Sequence, residues 1–424
     1  MTAEVLIMNR NGIALAADSA VTSDGGKIYN SANKLFSLSN NDPIGIMVYG
    51  NDTFMGTPWE VIIKVYRELC KDKSYNNLQE YAESFLNFLE NDNRFSSVNI
   101  EKLFLKEKLN LYLLEIFNKV NQYTDEEEKS NQLQVTLSTY LMTLERCEDI
   151  ECLSGECEET FANLFYEDIK EVVGNYIDLN KVNDELWDNF IKVAYLLSTK
   201  KLFDFNSSGV VIAGYGNKEI FPSYYSYNLY GTINGKLIYG IESSSSIEAI
   251  STDTNSTQVI RPFAQNEVVH SFLTGIDPVL NDEIHSIIYS WLELFPKLVS
   301  ESLHEDGYNE DIIVKVSDKI LQLGIELNNE FKAAINNTLQ QNYVFPLLDV
   351  IRILPKDELA SMAKALVNLT SLKRKVSGEA ETVGGPIDVA VVSKGDGFVW
   401  IDRKHYFEAD KNYRYFNNIK SREN

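Results

Sequence analysis

Residues 1–38 read MTAEVLIMNRNGIALAADSAVTSDGGKIYNSANKLFSL. Two short apolar runs, residues 4–8 and 13–17, flank a turn that ends in Asn-Gly. Because Asn and Gly both tolerate positive φ, this pattern predicts a β-hairpin. A hairpin returns the end of its second strand to the start of its first, so we expect Asp18 to lie beside Thr2.

Thr2 has the chemistry of a nucleophile that carries its own base. A threonine hydroxyl is weak until a base accepts its proton, and the α-amine of a chain-terminal Thr2 is such a base, with a reference pKa of about 8. A neighbouring ammonium keeps that amine neutral, and a carboxylate stabilises the ammonium. Asp18 ends the second strand and Lys34 begins a later one. The sequence therefore predicts a catalytic set of Thr2, Asp18 and Lys34.

This chemistry requires that Met1 be removed. Methionine aminopeptidase removes Met before small residues such as Thr, so we expect a mature chain that begins at Thr2 without cleavage of a propeptide. Each residue also has a simpler structural interpretation. In that interpretation, Thr2 is part of an inherited scaffold that retains Met1, and Asp18 caps a turn. Lys34 would then protect a strand edge from aggregation.

A family resemblance rests on the same residues. The stretch LAADSAVTS, followed by ANKLFSL and GIMVYGN, resembles the threonine peptidases of the proteasome β-subunit type and their bacterial ring-forming relatives. These proteins are N-terminal nucleophile hydrolases. The separations between Thr2, Asp18 and Lys34 match the pattern of that family.

The resemblance implies further site residues. Thr22 matches the position that hydrogen-bonds the substrate backbone, and Tyr49 or Gly50 matches the position whose backbone N–H donates to the oxyanion. Near the C-terminus, TVGGPIDVAVVSKGDGFVW resembles the Gly-Gly pair and strand hairpin of the family. The family has an acidic residue and a serine before that pair. Here Glu381 and Thr382 are the residues available to support the amine.

The predicted fold is layered α+β, since strand-rich and helix-rich blocks alternate along the chain. With the resemblance, the expected architecture is a four-layer α-β-β-α sandwich with large helical insertions. The predicted parts are a first sandwich segment, a helical insertion, a second sandwich segment, a helical layer with an extension, and a C-terminal hairpin and tail. Their ranges are 1–72, 73–205, 206–275, 276–382 and 383–424.

Smaller patterns give local predictions. Thr57 is expected as the N-cap of a helix with Pro at its first position. The serine run at residues 243–246 favours a polar loop. Cys147, Cys152 and Cys157 are evenly spaced, whereas zinc sites commonly have two-residue gaps within cysteine pairs, so free thiols are favoured over a metal site.

Composition restricts the partners and the compartment. The chain has 424 residues and a formal net charge of −23, which would repel nucleic acid and anionic membrane surfaces. We find no apolar run long enough to span a bilayer and no signal-peptide pattern. Four cysteines in this length do not indicate a disulfide scaffold, so a cytoplasmic location is expected. The predicted chemistry requires no metal or organic cofactor.

The predicted function is a threonine-type endopeptidase that acts through an acyl-enzyme. The resemblance implies peptide or protein substrates and a ring-shaped homo-oligomer. The chain has no Walker A motif, so it is not expected to power unfolding itself, and a separate ATP-driven unfoldase or another partner protein is a candidate partner. Two alternatives stay open, namely a specific amidase for a small amide or peptide, and an inactive subunit that serves as a scaffold. The helical insertion could cap the cleft, mediate assembly or bind a partner protein.

Overall fold

The computed structural model describes residues 2–22, 27–71, 73–150, 158–200, 207–248, 257–377, 383–414 and 417. The chain divides into two compact units. The first contains Met1–Ser31, Ile247–Val391 and Trp400–Lys404, and the second contains Ala32–Ser246, Val392–Val399 and His405–Asn424.

The regular elements of the described residues are strands and helices in alternating blocks. The strands are β1 (Ala3–Asn9), β2 (Gly12–Ala17), β3 (Val21–Thr22), β4 (Ile28–Tyr29), β5 (Leu35–Ser37), β6 (Ile44–Gly50), β7 (Thr53–Phe54), β8 (Thr57–Pro58), β9 (Ser208–Gly214), β10 (Ser223–Ile233), β11 (Lys236–Ser246), β12 (Gln258–Ala264), β13 (Asp388–Ser393) and β14 (Gly397–Asp402). The helices are α1 (Trp59–Leu69), α2 (Leu78–Asn91), α3 (Val98–Val120), α4 (Glu126–Arg146), α5 (Glu158–Gly174), α6 (Asp184–Thr199), α7 (Glu267–Thr274), α8 (Pro278–Glu305), α9 (Glu310–Leu339), α10 (Phe345–Ile351) and α11 (Lys356–Val376). A π-helical segment, Gln340–Val344, joins α9 to α10.

One five-stranded sheet has the strand order β12-β1-β2-β13-β14. The predicted hairpin is confirmed, because β1 and β2 pair antiparallel from Glu4 opposite Ala17 to Asn9 opposite Gly12. The side-chain oxygen of Asn9 accepts the backbone N–H of Asn11 at 2.8 Å, which stabilises the turn. This register fixes which residues stand at the start of β1 and just beyond the end of β2.

The core of the first unit lies on one face of that sheet. Successive side chains of a strand point to opposite faces, so alternate residues of β1 and β2 enter this core. Helix α11 covers them, with α7 and α10 beside it. The main contributors are Val5, Ile7, Ala14, Ala16, Ile351, Leu359, Ala363, Leu366 and Val367.

Helices α8 and α9 form a long hairpin in the first unit, and α8 packs chiefly against α9. Gly324 lies at this contact, where an added Cβ would be 3.4 Å from Cδ2 of Leu292, an ordinary van der Waals distance. Few residues of the pair are buried: Pro296 in α8, and Ile313, Gly324 and Asn328 in α9. Much of the apolar surface of these two helices therefore stays exposed.

The second unit contains a sheet with the strand order β11-β10-β9-β6-β5. Its strands pair antiparallel. Helices α1 and α2 pack on it through aromatic and aliphatic side chains, among them Trp59, Tyr66 and Phe85. The ring of Tyr66 meets that of Phe85 edge to face, with centroids 5.0 Å apart.

Helices α3, α4, α5 and α6 share a separate core in the second unit, and we call them the helical block. Leu109, Phe165 and Phe190 are fully buried in it. Tyr230 and Ile233 of β10 also belong to this core, so the block is packed against the end of a strand of its own unit.

The mixed composition and antiparallel sheets agree with the predicted α+β class. The four-layer arrangement and the domain boundaries stay predictions. None of the helices in the described residues is long and apolar enough to cross a membrane.

Two local predictions are wrong. Helix α1 begins at Trp59, and Thr57 pairs instead with Phe54 in the short β7–β8 ladder, so it does not cap the helix. The serine run at residues 243–246 belongs to β11, where its backbone pairs with Ser223–Ser226 of β10. In both cases the local sequence predicts a cap or a loop, but a neighbouring strand pairs with the backbone N–H and C=O groups of these residues.

Candidate active site at the start of the first strand

Thr2 stands immediately before β1 and is almost fully buried. Its carbonyl oxygen accepts the backbone N–H of Gln265 at 3.2 Å, just past the end of β12. Strand β12 is the neighbour of β1, with Ala3 opposite Ala264. The backbone of the predicted nucleophile is therefore held by the sheet on one side.

Asp18 follows β2 and closes the other side of the same strand end. Its backbone N–H donates to the carbonyl oxygen of Ala3 at 3.1 Å. Its carboxylate is buried and accepts three backbone N–H groups, from Ala3 at 3.1 Å, Ala20 at 3.2 Å and Gly384 at 3.1 Å. Charge-assisted bonds of this kind fix the orientation of a carboxylate. The carboxylate therefore contacts the residue that follows Thr2, and the place of Asp18 in a catalytic set with Thr2 stays a prediction.

The glycine pair before β13 supplies one of those donors. Gly384 donates to Asp18 and accepts the N–H of Ser19 at 3.1 Å. Gly385 has a φ of +76° and a Cβ there would lie 2.8 Å from Cβ of Asn30, so only glycine fits comfortably. The Gly-Gly motif thus lets the chain pass close to the carboxylate.

The two residues predicted to support the amine, Glu381 and Thr382, lie outside the described residues. Their roles stay predictions. For Thr22 the backbone alone is described: it pairs with Ile28 across β3 and β4. The predicted contact of Thr22 with the substrate backbone is therefore untested.

Lys34 belongs to the second unit and directly precedes β5. It is almost fully buried, and its carbonyl oxygen accepts the N–H of Val48 at 2.9 Å. An ammonium at that depth requires a counter-charge, because burying an unpaired charge is very costly. Its convergence with Thr2 and Asp18 stays a prediction from the sequence.

Tyr49 and Gly50 end β6. The Tyr49 ring lies over Gly209, where an added Cβ would be only 1.9 Å from its Cζ. The Tyr49 hydroxyl donates to the carboxylate of Glu242. Gly50 has a φ of +83°, and a Cβ there would lie 2.6 Å from the carbonyl oxygen of Ser207. Both residues are therefore held closely by the neighbouring strands.

The direction of the backbone N–H groups distinguishes these two oxyanion candidates. In a strand, the N–H groups of successive residues point to opposite neighbours. The N–H of Val48 donates to Lys34, while Tyr49 pairs with Gly209 of β9. Alternation then directs the N–H of Gly50 to the side on which Lys34 lies. This favours Gly50 over Tyr49 as the donor, although the donor role itself stays a prediction.

A polar group next to Thr2 has no motif that would predict it from the sequence. The Arg374 guanidinium donates to the side-chain oxygen of Gln265, whose backbone N–H holds the Thr2 carbonyl. Arg374 also lies 3.7 Å from a carboxylate oxygen of Glu267. Ala264 has a φ of +63°, a left-handed conformation that costs a non-glycine residue about 1–2 kcal/mol. The only signal in the sequence is the polar Gln-Asn pair that follows a strand.

The described residues contain no group of three or more His, Cys, Asp or Glu side chains that could hold a metal ion. Cys147 is a half-buried free thiol whose Sγ donates to the carbonyl of Thr143 at 3.4 Å. Cys152 and Cys157 lie outside the described residues, so their predicted state is untested.

No protein-family model matches the chain, and the comparison with curated proteins finds no match. Among solved structures, the chain is similar to Anbu (ancestral beta-subunit) from Yersinia bercovieri, with 9% identity, a TM-score of 0.27, and coverage of 99% of this chain and 95% of that chain. It is similar to Anbu from Hyphomicrobium sp. strain MC1, with 10% identity, a TM-score of 0.29 and coverage of 99% and 93%.

A third similar structure is described as the helical assembly of the Anbu complex from Pseudomonas aeruginosa, with 8% identity, a TM-score of 0.26 and coverage of 99% of this chain and 94% of that chain. Similarities at these TM-scores carry no argument about function.

Proposed function

We propose that this chain is an amide hydrolase of the N-terminal nucleophile type, in which Thr2 attacks the substrate carbonyl after removal of Met1. One observation carries the proposal: the buried Asp18 carboxylate accepts the N–H of Ala3 at 3.1 Å, one residue from Thr2. A fixed carboxylate at this place is the counter-charge that an ammonium beside the Thr2 amine needs. Peptides are the proposed substrate class, as the family resemblance implies.

The proposed first step forms an ester. The Thr2 Oγ bonds to the carbonyl carbon while the Thr2 α-amine takes the hydroxyl proton, directly or through one water. The carbonyl electrons move onto oxygen, where the N–H of Gly50 donates to the negative charge. The intermediate collapses, the C–N bond breaks, and the leaving amine takes the proton from the Thr2 ammonium.

The second step restores the enzyme. Water attacks the ester carbon and gives its proton to the Thr2 amine, and the Thr2 Oγ leaves with that proton as the acid product is released. Lys34 is proposed to keep the amine neutral by like-charge repulsion, while Asp18 holds the Lys34 ammonium in place. The two steps together consume the amide and one water molecule, and they require no oxidant or reductant.

A second candidate function is an inactive scaffold subunit with the same fold. One observation favours it: Thr2 is almost fully buried, whereas a catalytic nucleophile has to be reached by its substrate. A retained Met1 would block the amine, and the buried polar residues around Thr2 would then serve stability alone.

Intact-mass spectrometry with a β-lactone probe tests the proposal. The lactone acylates a nucleophilic hydroxyl, so the mass rises by one whole probe molecule. We expect the untreated chain to lack Met1 and the treated chain to carry one adduct on Thr2. Thr2→Ala should abolish the adduct and Thr2→Ser should retain it. Thr338→Ala is the matched control, because Thr338 is an exposed residue of α9.

Asp18→Asn tests the role of the carboxylate. The amide NH₂ would face either the N–H of Ala3 or the N–H groups of both Ala20 and Gly384, so the local geometry should shift. A misplacement of about 1 Å can lower a rate on the order of 100-fold, and a loss of that size in the acylation rate is expected. Circular dichroism must show that the variant folds. Retention of Met1, or the absence of both an adduct and turnover of an amide panel, would favour the scaffold.

A further inference from the structure

One face of α8 carries a row of large apolar side chains that remain exposed. We call this row the outer seam, and its members are Leu280, Ile284, Ile287, Trp291, Leu294 and Leu298. Their exposed fractions run from 37% to 68%. The spacing alternates between four and three residues, which is the heptad pattern that packs one helix against another.

The outer seam is not the face that α8 presents to α9. That inner face includes Leu292, which contacts Gly324, and His285, whose ring lies 5.9 Å from the ring of Phe331. Two helices bury only the seam between them. Within the described residues, the outer seam therefore faces solvent while having the sequence pattern of a second helix–helix contact.

The area of the outer seam suits a dimer. A Leu-sized side chain offers on the order of 100 Å² of apolar surface, and aromatic side chains offer more. The six side chains and the adjacent Phe295, each about half exposed, give on the order of 400 Å² per chain. Two copies would bury roughly 800 Å² of apolar area. Since interfaces are about 60% apolar, the total is roughly 1,300 Å², which lies within the range of specific interfaces.

We propose that α8 pairs antiparallel with α8 of a second copy of this chain. The spacing of the outer seam reads the same from both ends, so an antiparallel partner matches it along its whole length. Leu280 then lies opposite Leu298 of the second copy, and Ile287 lies opposite Trp291. Such self-complementarity is what a two-fold symmetric interface requires.

The charges beside the outer seam select the antiparallel direction. In that direction Glu283 of one copy lies beside Lys297 of the other, and two-fold symmetry produces this opposite-charge pair twice. In a parallel pairing Glu283 would instead lie beside Ile288 of the second copy, and the opposite-charge pair would be lost. Flanking charges of this kind set the orientation of paired helices. The result is a four-helix bundle made from two hairpins.

Sedimentation analysis over a wide concentration range tests the pairing. Ile287→Lys and Trp291→Glu each place a charge at the centre of the interface, and each should weaken dimerisation on the order of 100-fold, as for other interface hot spots. Leu327→Lys is the matched control, since Leu327 is a 59% exposed residue of α9 outside the outer seam. A monomer at every concentration, or a dimer that Ile287→Lys leaves intact, would overturn the proposal.

Crosslinking tests the direction of the pairing. A carbodiimide activates a carboxylate and joins it to a nearby ammonium as an amide. Glu283 and Lys297 are about 21 Å apart along one helix at 1.5 Å per residue, so this crosslink can form only between chains. In a mixture of isotope-labelled and unlabelled protein, the crosslinked peptides should include hybrids, and Lys297→Gln should remove them. A Glu283–Lys297 product without hybrids would contradict the proposal.

A charge exchange completes the test. Glu283→Lys alone and Lys297→Glu alone should each weaken dimerisation about tenfold, and the double exchange should restore most of the affinity, because it rebuilds both opposite-charge pairs. Failure of the double exchange to recover affinity would exclude the antiparallel register. This pairing does not depend on the chemistry proposed at Thr2, and the two proposals can fail separately.

Discussion

In the helical block α3–α6, four helices share one core in which large apolar residues such as Phe165 and Phe190 are fully buried. In the α8–α9 hairpin, two helices of greater length bury little beyond their common contact, and Trp291 is 68% exposed. Four helices can enclose a core, whereas two enclose only one seam. An apolar helix face therefore indicates that a partner is needed, without saying whether that partner lies in the same chain.

The largest expected effect is a difference in the free energy of unfolding when one apolar side chain is shortened to Ala in each region. Phe165→Ala removes a fully buried ring from the helical block and should cost about 3–5 kcal/mol in the free energy of unfolding. Leu294→Ala on the exposed face of α8 should cost less than about 0.5 kcal/mol in dilute protein. Urea denaturation at low protein concentration measures both values. Equal costs would show that the hairpin has a partner within the chain.

A smaller effect comes from the helix caps. The side chain of Asn183 accepts the N–H of Leu186 at the start of α6, and that of Asn309 accepts the N–H of Asp311 at the start of α9. Replacing either by Ala should cost about 1 kcal/mol. We expect the loss at Asn183 in global unfolding and the loss at Asn309 in local opening of the hairpin, because the hairpin makes fewer buried contacts.

Hydrogen exchange of the amides checks this difference. Faster exchange confined to the start of α9 is expected for Asn309→Ala, with the midpoint of global unfolding unchanged. A global shift of similar size in both variants would mean that the hairpin unfolds together with its unit.

The smallest expected effect is on the stability of the folded protein at acidic pH. The Tyr140 hydroxyl and then the Lys119 ammonium hold the pKa of Glu115 in α3 below its usual range. A lowered folded-state pKa stabilises the protein above the ordinary carboxyl pKa, and this contribution is lost as the pH falls through the lowered value. Glu115→Gln should therefore slightly flatten the loss of stability on acidification. Solvent screens the exposed Glu115, so the effect is small.

Tyr140→Phe gives the matching measurement, because it removes the first cause of the shift while leaving Lys119 in place. We expect the midpoint of thermal unfolding to fall less steeply with decreasing pH than in the unmodified protein, but more steeply than in Glu115→Gln. If neither variant changes the loss of stability at acidic pH, the hydrogen bond between Tyr140 and Glu115 contributes nothing to the stability of the helical block.

Short-range features of the candidate site could be predicted from the sequence. The Asn-Gly turn sets the register of β1 and β2, and that register alone brings Asp18 to the start of β1. The turn at Gly395–Gly397 likewise joins β13 to β14 as expected. Predictions of this kind succeed because a tight turn has few conformations and fixes the strands on both sides.

Features that depend on distant partners could not be predicted in the same way. Gly384, which donates to the Asp18 carboxylate, is 366 residues away along the chain. Arg374 reaches Thr2 through Gln265, and neither residue belongs to a recognisable motif. Thr57 has the local sequence of a helix N-cap, but it pairs with Phe54 in the short β7–β8 ladder, and that pairing depends on tertiary structure.

The sequence by itself determined the hairpin that brings Asp18 to the start of β1, and the apolar spacing along α8, because each depends on residues that are close together in the chain. Tertiary structure alone decided which backbone N–H groups hold the Asp18 carboxylate and which apolar helix faces are buried. The physical reason is that burial and hydrogen-bond partners depend on which elements come together. Local periodicity shows which face of an element is apolar, and packing decides whether another element of the same chain buries that face.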